Sequence, residues 1–146
     1  MPPKPSAPPS SPDDIEAQFY EALQQADIDK LMSVWADDEE VACVHPGGPR
    51  MVGAGAIRAA FEAIFANGAI DVEPEKVRRL RTHASAVHHV LERVQVTSDQ
   101  GLQKAYAIVT NVYILGPQGW RMVLHHASPG MARELQEISE APSTLH

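Results

Sequence analysis

The segment from Ala105 to Leu115 constrains the fold more than any other. It is rich in Val, Ile, Thr and Tyr, and neither of its alternating faces is charged. One face carries Tyr106, Ile108, Thr110, Val112 and Ile114; the other carries Ala105, Ala107, Val109, Asn111, Tyr113 and Leu115. A strand wetted on one side alternates apolar with charged residues, so this one must be covered on both. Val87 to Val96 and Trp120 to Ala127 have similar composition, and the turns Ser98-Asp99-Gln100-Gly101 and Gly116-Pro117-Gln118-Gly119 separate the three. An antiparallel meander is predicted. Asp71 to Leu80, interrupted by Pro74, is expected to pair at its edge.

Helices precede the meander. Ser11 can cap, Pro12 suits a first helical position, and Asp13 and Asp14 complement the dipole. Ile15, Phe19, Ala22, Leu23 and Ala26 then form one apolar stripe, and Asp27 starts a second helix through Ile28, Leu31, Met32 and Trp35. The acidic run Asp37 to Glu40 ends it and reads as a solvated turn more readily than as a metal cluster. Val41 to His45 is a short strand closed by the Pro46-Gly47-Gly48-Pro49 turn. A third helix from about Gly55 buries Ile57, Phe61, Ile64 and Phe65 before Asn67-Gly68 stops it. The expected class is α+β, with three helices packed on one face of a curved, mainly antiparallel sheet. The other sheet face then needs a partner, for which a second copy of the chain is the simplest choice.

With 146 residues there is room for one ordinary domain. Residues 1–11 form a proline-rich tail expected to be disordered, 12–130 the domain, and 131–146 a short helix, near Met131 to Ser139, followed by a tail. A net charge of −7 argues against nucleic acid or an anionic membrane as partner. No apolar run approaches the roughly 20 residues of a membrane span. The proline-rich start lacks the apolar core of a signal peptide, and Cys43 is the one cysteine, so a reducing, cytoplasmic setting is expected.

Candidate chemistry is sparse. The pairs His88-His89 and His125-His126 cannot chelate one metal each, because neighbours on a strand face opposite ways. No zinc spacing is present, and no metal and no cofactor are expected. Glu92 shares a face with His88 and Val90, which makes it a candidate general base or an ion-pair partner, while Arg93 faces away. Cys43, among apolar neighbours, reads as an inert core thiol.

Three stretches carry a resemblance: Leu31-Met32-Ser33-Val34-Trp35-Ala36-Asp37-Asp38, Val44-His45-Pro46-Gly47-Gly48, and Gly119-Trp120 through Ser128-Pro129. They resemble the SnoaL-like branch of the nuclear transport factor 2-like superfamily, over about Ile15 to Gly130. The last stretch also resembles the association domain of calcium/calmodulin-dependent protein kinase type II, matching it at Trp120, His126 and Ser128 and departing from it at Leu124. The resemblance implies a cone with a deep pocket and a dimer across the outer sheet. Its members include isomerases, cyclases and dehydratases as well as non-enzymatic domains.

The expected function is therefore a homodimeric domain binding a small apolar or amphipathic molecule. Trp35 and Phe61 would supply walls, and His45, Asn111 and His126 polar contacts. The alternative is a cofactor-independent isomerase, cyclase or dehydratase using Glu92 or His126. A weaker one is an oligomerisation module.

Overall fold

The structure, a computed structural model, describes residues 11–131 and 137–140. Three helices, α1 (Pro12–Gln25), α2 (Ile28–Ser33) and α3 (Ala54–Phe65), pack on one face of a single sheet. Its strands are β1 (Ala42–Val44), β2 (Arg50–Val52), β3 (Asp71–Arg81), β4 (Ser85–Ser98), β5 (Gly101–Gly116) and β6 (Gly119–Pro129), in the order β2-β1-β6-β5-β4-β3. Every pairing is antiparallel except that of β1 with β6. This is the α+β cone expected from the sequence. The proline-rich residues 1–10 lie outside the described residues, as does most of the short helix expected at 131–139.

The local rules act where they were expected. The Ser11 side chain accepts the Asp14 amide, and the Asp27 side chain accepts that of Lys30, so both helix starts are capped. α1 ends on Ala26 in the left-handed region, at φ 52°. The second helix is shorter than its apolar period suggests. It stops at Ser33, and Trp35 instead forms an isolated bridge to Met122 on β6. The tripeptide Arg50 to Val52 forms a strand with no sequence signal: it is too short to show a period and is extended only by pairing with β1.

The core lies between helices and sheet, where Phe19, Leu31, Ile57, Phe61, Val90 and Tyr113 are almost wholly buried. Two irregularities shape the sheet. Between Glu75 and Arg78 the β3–β4 register slips around Lys76, whose φ is 46°. Between Val112 and Tyr113 the β5–β6 register slips too, with Val123 as the extra residue opposite β5. Before this second bulge Trp120 and Met122 face the core; after it the buried positions are His125 and Ala127. A bulge of this kind changes which alternate residues face inward.

Candidate functional site

Helix α1 contributes two polar side chains one turn apart, Glu16 and Tyr20, on the stripe that packs against the sheet. Both are buried. Glu16 Oε2 accepts the Tyr113 hydroxyl at 2.6 Å, lies 2.8 Å from His88 Nδ1, and is 3.4 Å from the Asn111 amide nitrogen. Beyond His88, its Nε2 is 3.9 Å from Asp13, whose carboxylate Arg79 holds at 2.8 Å. One turn along, the Tyr20 hydroxyl donates to Glu92 Oε2 at 2.7 Å and accepts from Asn111 at 3.3 Å. Asn111 Oδ1 lies 2.6 Å from His125 Nδ1. A continuous polar network thus runs through the core from Asp13 at the surface to Glu92 and His125. Satisfied networks of this sort rigidify a core, because each buried member would be costly unpaired.

Glu92 and His125 line a cavity of about 150 Å³ between α3 and the sheet. Its apolar wall includes Leu23, Phe61, Ile64 and Val72, and the third polar residue on it is His45. The His45 ring stands edge-on to Phe61, 4.9 Å between centroids, and its Nε2 is buried with no hydrogen-bond partner. The His125 ring packs 4.9 Å from that of Phe19. Electrostatics follow burial. Loss of water raises the Glu92 carboxyl to about 7; the Tyr20 hydrogen bond opposes this, and Glu16 adds to it. Burial first, then the nearby His45 and His126, push His125 down to about 3, so its imidazole is neutral at ordinary pH. Burial also lowers His45 and raises Tyr20, the latter further because of Glu92. The Cys43 thiol, pushed up to about 12 by burial and by Glu92, is inert in the core.

The residues expected at the site divide. Glu92, His45 and Phe61 line the cavity together. Asn111 is fully buried behind it, gripping His125. Trp35 sits elsewhere, beside a surface recess near Ala36, Asp37 and Arg58, with its Nε1 unpartnered. His126 is exposed on the opposite sheet face, paired in register with Thr110, and the inward position belongs to His125. The bulge at Val123 is the physical reason: strict alternation from Trp120 turns His126 inward, and one extra residue reverses that. Glu16, Tyr20, His88 and Tyr113 join the site as partners that the sequence pattern does not single out. Glu16 and Tyr20 could have been found, since they share the helical period of Phe19 and Leu23.

Among the described residues no group of three or more His, Cys, Asp or Glu side chains is placed to hold a metal ion. Nor is any helix of the described residues long and apolar enough to cross a membrane.

A curved sheet carrying three helices over a small cavity defines a class, and comparison with known proteins agrees. Residues 13–132 match the SnoaL-like domain, and the chain belongs to that family. It is similar to a proposed calcium/calmodulin-dependent protein kinase type II association domain from Thiobacillus denitrificans, at 32% identity and a TM-score of 0.77, over 86% of this chain and 100% of that one. A proposed dehydratase of the NTF2-like family from Streptomyces avermitilis is 30% identical, with a TM-score of 0.71, over 81% of this chain and 93% of that one. The S. rosetta CaMKII hub shares the fold at 20% identity and a TM-score of 0.66, over 84% of this chain and 99% of that one. No curated protein matches the chain.

Proposed function

We propose that this chain is a homodimeric domain that binds a small, largely apolar molecule in the cavity lined by His45, Phe61, Glu92 and His125. The observation that carries the reading is the cavity itself, whose largely apolar wall brings His45, Glu92 and His125 together. Support for self-association comes from the outer face of the sheet, where Ile108 and Ile114 are each 38% exposed beside Val112 and Leu124. The kinase association and hub domains among the similar structures add to it. In this reading residues 12–130 are the folded unit.

Native mass spectrometry of gently purified protein tests both parts. A dimer carrying extra mass is expected, and that mass should be lost in Phe61→Trp, which fills the cavity. A bare monomer would overturn the dimer, and a ligand retained in Phe61→Trp would move the site elsewhere.

A second reading, a cofactor-independent dehydratase or isomerase, is favoured by one further observation. Glu92 is a carboxyl held near 7 on the cavity wall, close to the pH at which a general acid or base works best. The proposed dehydratase at 30% identity points the same way. His126 has no part in it, since it lies outside the cavity. Of the two candidates Glu92 alone would move the proton, and Glu92→Gln should then abolish turnover of a substrate that still binds.

A further inference from the structure

The hydrogen bonds around Asn111 determine what the cavity offers an occupant. The Asn111 amide nitrogen faces Glu16 Oε2 and the Tyr20 hydroxyl oxygen. Glu16 Oε2 accepts from Tyr113, and the Tyr20 hydroxyl points its hydrogen at Glu92, so both oxygens present acceptors to Asn111. The amide orientation is thereby set, with Oδ1 toward His125. At 2.6 Å from that oxygen, His125 Nδ1 must carry the hydrogen. Its Nε2 is then a bare lone pair, and it is the ring nitrogen left for the cavity that His125 lines. Glu92, on the same wall, adds carboxyl oxygens. Among the described residues lining the cavity there is no Lys or Arg, so a carboxylate or phosphate would meet no positive charge. Burial keeps the two imidazoles neutral as well. Size narrows the class further: an apolar cavity of about 150 Å³ is known to hold one benzene ring.

We infer that the cavity takes an uncharged molecule of about one ring, apolar over most of its surface, that donates a single O–H or N–H to His125 Nε2. Asn111 is the positioning residue that makes His125 an acceptor. This inference rests on the binding reading above and goes on to the chemistry of the occupant.

The test titrates the full chain, followed by NMR, with three probes of similar size: phenol, toluene and benzoate. Phenol and toluene differ by the donor, and benzoate brings a charge. Phenol should bind roughly tenfold more tightly than toluene, the scale of one buried hydrogen bond, and benzoate more weakly than either. Histidine side-chain ¹⁵N spectra should show His125 protonated on Nδ1, with Nε2 shifting when phenol is added. In His125→Phe, phenol should lose its advantage while toluene still binds; if that variant does not fold, the three wild-type affinities and the ¹⁵N spectra decide alone. Equal binding of phenol and toluene, tighter binding of benzoate, or an Nε2–H tautomer overturns the inference and leaves the binding reading standing. Failure of all three probes to bind overturns both.

Discussion

Two buried groups on the cavity titrate in opposite senses, and this makes the acid behaviour of the protein a sensitive probe of them. Glu92 is raised from 4.5 to about 7. A folded state that holds this proton more tightly gains stability below about 4.5 and loses it as pH rises through 7, by a total of order 3 kcal/mol. His125 is lowered from 6.5 to about 3, so its contribution is complete above 6.5 and is lost as pH falls toward 3. Between about 4.5 and 6.5 the two slopes nearly cancel. Replacing Glu92 by Gln removes one of them. Urea unfolding of Glu92→Gln should therefore show stability falling by about 1.4 kcal/mol per pH unit below 6.5, where the wild type stays almost level. A flat profile in the variant would mean that His125 is not buried in its neutral form. At the same scale, Tyr113→Phe removes the shortest hydrogen bond to Glu16 without emptying space. A loss of about 1–2 kcal/mol in chemical denaturation is expected.

Elements are where the sequence was most and least legible. The caps at Ser11 and Asp27, the apolar period of α1 and the three long β segments could be read directly, since each is a local signal. Pro74 placed β3 at the sheet edge for a local reason too, its missing amide. What could not be read was long-range: β2 exists only through its pairing, and the slip at Val123 is imposed by the fit of β6 to β5. That slip decided the candidate site. Glu92 came out facing inward because β4 and β5 pair without interruption from Ser85 to Ser98, whereas His126 and His125 exchanged places. One element also carries a removable strain. Ala26 closes α1 in a left-handed conformation that costs a residue with a Cβ about 1 kcal/mol or more. Ala26→Gly should raise the stability of the chain by up to about 1 kcal/mol, seen as a higher thermal midpoint with unchanged circular dichroism.

For the molecule as a whole, the outer sheet face is an apolar surface that a partner could cover. If two copies meet there as proposed, Ile108→Glu should bury an unpaired charge in the interface and convert the dimer to monomer in analytical ultracentrifugation, with the fold intact. A dimer that survives this substitution at micromolar concentration would place the interface on another surface. The β3 edge of the sheet behaves quite differently from its face. β3 lacks an amide at Pro74 and is kinked at Lys76, and its arginines are engaged: Arg78 with Glu137, Arg79 with Asp13 and Arg81 over the Trp120 ring. The line of backbone donors is broken there, so another chain's strand finds a poor template. Fibre-like growth by strand addition is thus disfavoured along β3, whereas association of two copies through the sheet face, as proposed, would close on itself.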